Sequence, residues 1–486
     1  EDRCAYRQFG DPIAIKALKR VAVENGTDAW KAKQSITKKS GKSVAIIGSG
    51  PTGLTTAYYL TLCGHDVTLY DQFEKAGGTL RYGIPKYRIP EISLDQDVNY
   101  ILDMGVKFKG NTKIGSDIDL KDIESQYDAV FISTGTNQSA KIPLDNTENE
   151  NVLWGLDFLK RVSLKENINL SGDVAVVGGG NVAIDVALTA KRLGADTVYL
   201  SCLESKDEMP AHPWEIARAE EEGVFILNSW GPKEIVKNDN IQGLDLKKCI
   251  QVFDKDGNFS PIYNEKITNT VKAETIILAI GQTTDLSFMN DKSIQIKQNG
   301  PYIRIHDENM ATDEKGVFAG GDVVSGPASI IEAIAHGRKA AQSIDLYLGG
   351  SGSIDETLAE PEQEIYLPEL DRQVKERIEG HLLNPWERLR GFDQVELSMK
   401  PKEAKHEAAR CLNCDARKFE VVVYADNCKE CGYCDQVCSL NLFQKADFFN
   451  DKGYRPMVVK SSDWCVGCFN CYYSCPDFAI DINEVI

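Results

Sequence analysis

Eight cysteines near the end of the chain have the spacing of iron–sulfur ligands. They form two runs of the pattern C-x2-C-x2-C-x3-C, which are Cys428, Cys431, Cys434 and Cys438, then Cys465, Cys468, Cys471 and Cys475. In proteins with two 4Fe–4S clusters, the fourth cysteine of each such run ligates the other cluster. We therefore predict that Cys475 completes the first ligand set and Cys438 the second. Structural zinc is the alternative, but it takes paired C-x2-C knuckles and fits two complete four-cysteine runs poorly.

Two glycine-rich turns have the pattern that holds the pyrophosphate of a dinucleotide. Each follows an apolar segment, and the turns read Gly48-Ser-Gly50-Pro51-Thr-Gly53 and Gly178-Gly-Gly180-Asn181-Val-Ala183. The first glycine permits the tight turn, the second lets the backbone approach the pyrophosphate, and the third small residue lets the helix pack on the strand. The helix that follows offers free N–H groups to the phosphates. Both turns are predicted to bind nucleotides.

An acidic residue follows each turn at the distance expected for a ribose partner. Asp71 ends the predicted strand 67–71, and Glu204 follows the predicted strand 198–203. Such an acid accepts hydrogen bonds from the adenosine ribose. Two turns, each with its own acid, imply two dinucleotides and the plan of a flavoprotein in which a nicotinamide domain is inserted into a flavin domain.

The flavin domain is expected to resume after the insert. Residues 275–281 read as a strand that enters a turn at Gly281, and a second glycine turn at Gly321-Asp322 precedes a helical run from Ser329 to 341. This order would place Asp322 and the N–H groups of the new helix beside a polyol and a phosphate. A Gly-Asp turn alone is common, and it becomes a credible flavin contact only after two dinucleotide units.

Length, charge and composition bound the class of protein. A chain of 486 residues should hold about three domains. The net charge of −18 argues against a nucleic-acid partner, because phosphates would be repelled. No apolar run approaches the ~18 residues of a membrane span, and no secretory signal opens the chain. Cysteines needed as thiolates for iron favour the cytoplasm. The start at Glu1, without methionine, suggests part of a longer polypeptide.

Two further stretches carry structural expectations. Residues 11–23 are predicted to form a short helix with Asp11 as N-cap, and residues 371–410 are charged and predicted to be mainly helical. The lysine-rich run from Lys31 to Lys42 reads as a solvated linker rather than an anionic partner site.

The motifs together resemble those of the glutamate synthase small-subunit type of FAD- and pyridine-nucleotide-dependent oxidoreductase, fused to a two-cluster ferredoxin domain. The resemblance covers nearly the whole chain, and its specific motifs are the segments 77–90, 133–135, 179–185, 208–211 and 319–322. It implies an α/β fold with FAD and NAD domains of the pyridine nucleotide-disulfide oxidoreductase type, a short N-terminal helical segment and a C-terminal α+β ferredoxin-like domain. The implied boundaries are 1–40 for the N-terminal segment, 41–150 and 283–345 for the FAD domain, 151–282 for the NAD domain, 346–415 for a linker and 416–486 for the ferredoxin domain.

The resemblance also implies which residues contact each cofactor. For FAD these are Gly48, Gly50, Pro51, Gly53, Asp71, Gly78, Leu80, Arg81, Thr134, Gly135, Gly281, Gly321, Asp322 and Ser329. For the nicotinamide nucleotide they are Gly178, Gly180, Asn181, Ala183, Asp185 and Glu204. NADP-using members of this type have two arginines at the positions of Leu203 and Glu204. Because a carboxylate accepts bonds from a 2′-hydroxyl and repels a 2′-phosphate, NAD(H) is predicted here; a solvent-facing acid at a strand end is the alternative for Glu204.

The remaining cysteines fall into two groups. Related disulfide reductases have a redox cysteine pair beside the flavin, whereas Cys63, Cys202 and Cys249 form no such pair in sequence and are predicted to be buried small apolar residues. The resemblance suggests that Cys4 is the last ligand of a further cluster whose other ligands lie upstream. The pair Cys411 and Cys414 either contributes to an additional cluster, with or without Cys4, or is a reduced structural pair.

The resulting hypothesis is an electron-transfer subunit. Electrons are expected to pass from NADH to FAD, then through two C-terminal 4Fe–4S clusters to another subunit of a redox complex or a soluble ferredoxin, with the reverse direction and bifurcation left open. Because cofactors carry the chemistry, no side chain is predicted to act as nucleophile or general base. The alternatives are a self-contained reductase of a small molecule and a non-enzymatic iron–sulfur sensor or scaffold.

Overall fold

The structure is a computed structural model that describes residues 1, 4–8, 10–34, 36–170, 172–289, 294–355, 376–413, 418–438 and 440–485. The chain divides into two compact units. We call the first the cysteine unit, which contains the described residues within 1–33, 357–382 and 397–486. The second, the sheet unit, contains those within 34–356 and 383–396.

Helices occur throughout the described chain, and beyond residue 347 none is longer than eight residues. In chain order they are α1 (Ile15–Asn25), α2 (Pro51–Leu62), α3 (Thr79–Tyr82), α4 (Glu91–Asp103), α5 (Leu120–Gln126), α6 (Gly155–Ser163), α7 (Asn181–Arg192), α8 (Pro213–Glu221), α9 (Asp322–Ser325), α10 (Ile330–Tyr347), α11 (Pro385–Arg388), α12 (Pro401–Ala408), α13 (Tyr433–Val437) and α14 (Asn470–Ser474). Short 3-10 helices occupy Ala5–Gln8, Asp28–Lys33, Ser287–Met289 and Ala425–Asn427.

Except between residues 129 and 154, where three strands follow one another, the strands are interspersed with helices up to residue 228, as expected for parallel sheets. They are β1 (Ser43–Ile47), β2 (Asp66–Tyr70), β3 (Lys107–Lys109), β4 (Ala129–Ile132), β5 (Gln138–Ser139), β6 (Val152–Trp154), β7 (Val174–Val177), β8 (Val198–Cys202), β9 (Val224–Asn228), β10 (Trp230–Lys237), β11 (Ile241–Phe253), β12 (Phe259–Lys272), β13 (Thr275–Leu278), β14 (Gln282–Thr283), β15 (Gln298–Asn299), β16 (Tyr302–Ile303), β17 (Val317–Ala319), β18 (Lys418–Val423), β19 (Phe443–Lys445), β20 (Met457–Val459) and β21 (Ile480–Val485).

Two five-stranded parallel sheets dominate the sheet unit. The first has the order β17-β4-β1-β2-β3, and the second has the order β6-β13-β7-β8-β9. In both, the strand before the glycine turn is central and its side chains are almost all buried. Parallel strands covered on both faces read as continuous apolar runs. The first sheet contains strands that precede the second sheet in sequence and one that follows it, because β17 pairs with β4.

A three-stranded antiparallel sheet, β10-β11-β12, extends the second half of the sheet unit. Its buried side packs with the second parallel sheet in one apolar cluster that includes Leu244, Leu246 and Ile276. The other face of that parallel sheet is covered by α7 through Ile184 and Ala187. The strand and helix pattern therefore places both glycine turns at the carboxyl ends of central strands, where ligands of open α/β sheets bind.

The cysteine unit is built on two small antiparallel ribbons, β18 with β21 and β19 with β20. Its core contains Phe419, Phe443 and Ile480 together with cysteines from both runs. Helices α13 and α14 begin at Tyr433 and Asn470, each the residue immediately before the third cysteine of a run.

The first helix begins later than the sequence predicts. It starts at Ile15 rather than near Asp11. The Ala14 N–H at its N-terminus donates to Oε1 of Glu407 at 2.9 Å, so a carboxylate 393 residues away provides the bond expected from Asp11. The Asp11 carbonyl instead accepts from Arg410. The predicted cap was wrong because a distant buried side chain replaced it.

The stretch 371–410 is far less helical than predicted. Within its described part, 376–410, the helices are α11 and α12, which span four and eight residues. A proline stands first in each helix, and proline is tolerated there but not in a helix interior. The charged composition favoured one mainly helical stretch. Pro385 and Pro401 instead mark the starts of two separate short helices.

Candidate functional site

The first glycine turn is tightly built except at its centre. A Cβ atom at Gly48, whose φ is +103°, would lie 2.4 Å from the Ser133 carbonyl oxygen, and one at Gly53 would lie 2.0 Å from the Gly48 oxygen. A Cβ at Gly50 would meet only the Gly78 Cα, at 4.0 Å. Gly50 is the N-cap of α2, with Pro51 as the first helical residue. Open space therefore faces the N-terminal N–H groups of α2, as a bound pyrophosphate requires.

Distant segments converge on this turn. A Cβ at Gly78 would lie 2.6 Å from the Gly50 Cα, and one at Gly321 would lie 2.3 Å from Oγ1 of Thr52 in α2. The Gly321 N–H donates to Nδ1 of His336 at 3.0 Å, a contact that no sequence motif predicts. Ser329 caps α10 in a capping box with Glu332. The structure therefore brings the predicted segments around Gly78 and Gly321 to one place.

Asp71 is fixed by protein donors. Its Oδ2 accepts hydrogen bonds from the N–H and the hydroxyl of Ser49 at 2.8 and 2.5 Å, and its Oδ1 accepts from the Phe73 N–H at 3.0 Å. Ser49 lies inside the glycine turn, so the acid and the turn are held together. A carboxylate has about four acceptor positions, which leaves one for a ribose hydroxyl.

The loop after β4 contains buried polar atoms that point to a ligand. Thr134 Oγ1 and Asn137 Oδ1 are buried without a hydrogen-bond partner among the described residues. Buried polar atoms normally have hydrogen-bond partners, so these two unpaired atoms beside the first glycine turn indicate that a ligand supplies the missing partners. Asn137 was not predicted from the sequence, although it follows the Ser133–Gly135 motif.

Burial raises the pKa of Asp322 to about 6, and hydrogen bonds from Ala328 and Thr136 oppose that rise.

The other predicted flavin contacts have these surroundings. Leu80 packs on the apolar cluster beneath the first sheet. Arg81 is buried, and its guanidinium donates to the Ala76 carbonyl at 2.7 Å and to Asp95 at 2.5 Å. Gly135 and Gly281 both have positive φ, and the Gly281 carbonyl accepts from the Ala140 N–H at 3.0 Å. Their contact with FAD stays a prediction.

The second glycine turn is also closely packed at its first glycine and open at Gly180, but here a carboxylate lies close to the turn. A Cβ at Gly178 would lie 2.2 Å from the Ala279 oxygen, whereas one at Gly180 would meet no atom within 4 Å. A Cβ at Gly179 would lie 2.7 Å from Oε2 of Glu204, so this carboxylate stands over the turn. Ala183 is fully buried at the start of α7. The loop after Glu208 folds back here, because the Ala211 N–H donates to the Gly179 carbonyl.

Two other residues of the second motif have protein partners. Oδ1 of Asn181 accepts from the His212 N–H at 2.9 Å. Asp185 is buried, and its two oxygens accept from Tyr87 and Arg88. Burial raises the pKa of Asp185 to about 6, and the charge of Arg88 opposes that rise. A direct contact of Asp185 with the nucleotide stays a prediction.

The eight C-terminal cysteines form two groups that draw on both runs. Burial raises the pKa of Cys434 to about 12, and the nearby thiols of Cys428, Cys431 and Cys475 raise it further. These four cysteines also line one small cavity together with Met457 and Ile480. Burial likewise raises the pKa of Cys471 to about 12, with Cys468, Cys465 and Cys438 adding to the effect. Cys475 therefore joins the first run and Cys438 joins the second.

The donor set fits two metal clusters. Thiolates are the metal-binding form of cysteine, and because neighbouring thiolates repel one another, a group of four is stabilised when a cation replaces their protons. Backbone N–H groups already point at two sulfurs, from Met457 to Cys428 at 3.4 Å and from Ala479 to Cys475 at 3.2 Å. Hydrogen bonds to sulfur tune the reduction potential of such clusters. In the part of the chain that is described, no three His, Cys, Asp or Glu side chains are grouped to hold a single ion.

The remaining cysteines have different surroundings. Cys202 and Cys249 are buried as predicted, and Cys63 is partly buried. Cys4 and Cys468 pack against an apolar cluster of the cysteine unit that includes Leu412, and the Cys4 sulfur accepts from the Ile13 N–H at 3.5 Å. Cys411 is exposed, and Cys414 lies outside the described residues. A further cluster at these cysteines stays a prediction.

The sites fit the predicted cofactors by their own chemistry. The open glycines at both turns leave room for a pyrophosphate, and the unpaired Thr134 hydroxyl supplies a partner at the first.

Among the described helices, none combines the length and apolar character needed to cross a bilayer.

Comparison with known proteins agrees with this geometry. The chain is 34% identical over 453 residues to the NADP(+)-dependent formate dehydrogenase subunit beta of Moorella thermoacetica, covering 85% of this chain and 63% of that protein. It is 31% identical to the NADPH-Fe(3+) oxidoreductase subunit beta of Geobacter sulfurreducens, over 85% of this chain and 67% of that protein. It is 33% identical to the NAD-dependent dihydropyrimidine dehydrogenase subunit PreT of Escherichia coli, over 72% of this chain and 79% of that protein. The chain spans less than two thirds of the Moorella protein.

Solved structures and a family model show the fold. FprA of Mycobacterium tuberculosis in complex with NADPH matches with a TM-score of 0.55 and 15% identity, over 63% of this chain and 85% of FprA. The predicted α/β fold with two Rossmann-like sheets is confirmed. The model described as pyridine nucleotide-disulphide oxidoreductase matches residues 42–337, more than half of the chain. The chain belongs to the pyridine nucleotide-disulphide oxidoreductase family.

Proposed function

We propose that the chain is an FAD-containing iron–sulfur subunit that oxidises NADH, or reduces NAD⁺, and exchanges single electrons with a partner. The observation that carries this proposal is the pair of four-cysteine groups in a chain that also has two open glycine turns. When bound, FAD accepts a hydride and passes on single electrons, and each 4Fe–4S cluster exchanges one electron. The finer resemblance to the glutamate synthase small-subunit type belongs to the same proposal.

The residues of the chain bind and orient these groups. In this proposal the first turn, Gly78, Thr134 and Asp322 contact FAD, and the second turn and Glu204 contact NAD(H). Glu204 Oε2 stands over Gly179, where it can accept from ribose hydroxyls and repel a 2′-phosphate. Preference for NAD(H) over NADP(H) is therefore part of the proposal, although two of the relatives named above are NADP(H) proteins.

Partner and compartment follow from the same chemistry. Relatives named as beta subunits support a role as one subunit of a redox complex, with a soluble ferredoxin as the other candidate. Clusters that need reduced thiolates support the cytoplasm. A further cluster at Cys4, with Cys411 and Cys414, would add a second electron path within the cysteine unit.

The experiment is anaerobic reduction of the full chain loaded with FAD, iron and sulfide. NADH should bleach the flavin absorbance and then produce the electron paramagnetic resonance signal of reduced 4Fe–4S clusters. Cys475→Ala should perturb the cluster of the first run, and Cys438→Ala that of the second, whereas Cys249→Ala, a buried cysteine outside both groups, is the matched control.

Three outcomes would count against the proposal. A chain that binds no FAD and is unchanged by NADH supports the sensor or scaffold alternative. A chain that bleaches with NADH but never reduces its clusters contradicts the electron path. Turnover of a small molecule in the absence of any partner or artificial acceptor supports the self-contained reductase.

A further inference from the structure

Arg88 bridges two segments of the sheet unit that lie far apart in sequence. We call residues 77–90 the flavin-side loop, because Gly78 within it contacts the first glycine turn. Near its end, Arg88 NH1 lies 2.8 Å from Oδ2 of Asp185 in α7, and NH2 lies 2.6 Å from Oε1 of Glu215 in α8. Both carboxylates are buried, while the Arg88 side chain is 37% exposed. One guanidinium therefore binds two helices at once.

The neighbouring contacts hold this bridge in one geometry. The Tyr87 hydroxyl donates to the other Asp185 oxygen at 3.3 Å, and the Arg192 guanidinium carbon lies 4.1 Å from the centre of the Tyr87 ring. Arg192 is itself paired with Glu222 at 2.6 Å, with both side chains buried. Without Arg88, two buried carboxylates would face each other with no cation between them, which is strongly unfavourable. Arg88 thus stabilises the present approach of α7 and α8 to the loop.

The two ends of the flavin-side loop contact the two nucleotide turns. Gly78 lies against Gly50, the open glycine of the first turn. Arg88 binds Asp185, which lies one helical turn beyond Asn181, the first residue of α7. Helix α7 begins directly after Gly180, the open glycine of the second turn. A single short segment therefore spans from one candidate nucleotide site to the other.

We propose that Arg88 is a positioning residue that, through Asp185 and Glu215, fixes the second nucleotide site relative to the flavin-side loop and so sets the approach of the bound nicotinamide to the flavin. The inference rests on the proposed function, because it assigns NAD(H) to the second turn and FAD to the first. Arg88 contacts neither reacting atom in this account. Its effect is on orientation, to which hydride transfer is sensitive, since a displacement of about 1 Å can cost about 100-fold in rate.

The test compares Arg88→Ala with the wild type as FAD-loaded full chains. The rate of flavin bleaching at saturating NADH should fall by about 10- to 100-fold, while KM for NADH changes by less than about threefold, because the nucleotide contacts are intact. Amide hydrogen exchange should become faster in residues 84–90 and at the start of α7. Arg161→Ala is the matched control, because Arg161 is also 37% exposed and pairs with Glu166 at 2.8 Å within one local segment.

The outcomes separate this inference from the proposed function. If NADH does not bleach the wild type, the proposed function fails, and hydrogen exchange alone decides whether Arg88 joins the two segments. If R88A retains FAD and matches the wild type in bleaching rate and exchange, the inference is overturned. A rate that falls only in proportion to lost FAD also overturns it. Arg88→Lys keeps the charge but not the two-armed geometry, so its rate should fall between the two, and a rate equal to the wild type contradicts bridging.

Discussion

The two glycine turns have the same backbone plan but treat their acids differently. At the first turn, Asp71 is held by Ser49 and Phe73, so its position is fixed before any ligand binds. At the second, the Glu204 carboxylate stands over Gly179 and accepts no hydrogen bond within the described part of the chain. A fixed acid contributes to the fold, whereas a free one is available to the ligand. This difference fits the proposed function, in which the first site retains FAD and the second selects and exchanges NAD(H).

The largest expected effect comes from filling the open glycines. Gly50→Val should abolish FAD retention, lowering affinity by more than about 100-fold, or about 3 kcal/mol, because its side chain would occupy the space facing α2. Both glycines have ordinary negative φ, so the backbone tolerates a side chain. Gly180→Val should retain FAD and lose NADH-dependent bleaching. Flavin absorbance after gel filtration measures the first and stopped-flow bleaching the second; loss of FAD in G180V would contradict separate sites.

A change of nucleotide preference is the next effect. Glu204→Arg should lower the ratio of kcat/KM for NADH to that for NADPH by about 100-fold, because it replaces a repelling carboxylate with a donor to the 2′-phosphate. Steady-state assays with an artificial acceptor give the ratio. Asp71→Asn is the control and should leave the ratio unchanged. A wild type that already prefers NADPH would show that Glu204 does not select the nucleotide.

Stability should separate the two acids in the opposite direction. Asp71→Asn places an amide against the two donors of Ser49 and should lower the free energy of unfolding by about 2 kcal/mol. Glu204→Gln removes no such bond and should change it by less than about 0.5 kcal/mol. Urea denaturation of the flavin-free proteins measures both. Equal losses in the two variants would remove the distinction between a fixed and a free acid.

The smallest effect concerns pH at the first site. Burial raises the pKa of Asp322 to about 6, so the folded chain binds this proton more tightly than the unfolded chain does. Its unfavourable contribution is therefore full above pH 6 and disappears as the pH falls towards 4. Asp322→Asn should stabilise the flavin-free protein at pH 8 by about 1 kcal/mol, after allowance for partial solvent exposure. Denaturation at pH 8 and pH 4.5 checks this, and a gain equal at both pH values would contradict it.

Local patterns predicted much of the fold. The strands before both turns, the helices after them and the helix after Ser329 follow from apolar runs, glycines and caps that lie within a few residues of one another. The exchange of Cys438 and Cys475 between groups follows from spacing alone. These features are determined by residues close together in the chain, so they can be predicted from local sequence patterns.

Contacts between distant residues could not be predicted. Glu407 replaces Asp11 at the start of α1 from 393 positions away. Arg88 contacts Asp185 and Glu215 across 97 and 127 positions, although Arg88 and Asp185 lie within the motifs 77–90 and 179–185 and Glu215 lies just beyond the motif 208–211. The sequence does not show which charged residues pair, because the pairing depends on how the chain folds. For that reason the glycines of each site were predicted and the bridge between the sites was not.

The pairing of β17 with β4 has a consequence for synthesis of the chain. Strand β4 ends at Ile132, but its outer neighbour begins at Val317. At about 5–20 residues per second, the ribosome needs roughly 10 to 40 seconds to supply it. Throughout that interval the backbone of β4 presents an open edge, which is a template for pairing with other chains. The nascent protein therefore passes through a period of exposure to aggregation that ends only when the strand leading to Gly321 emerges.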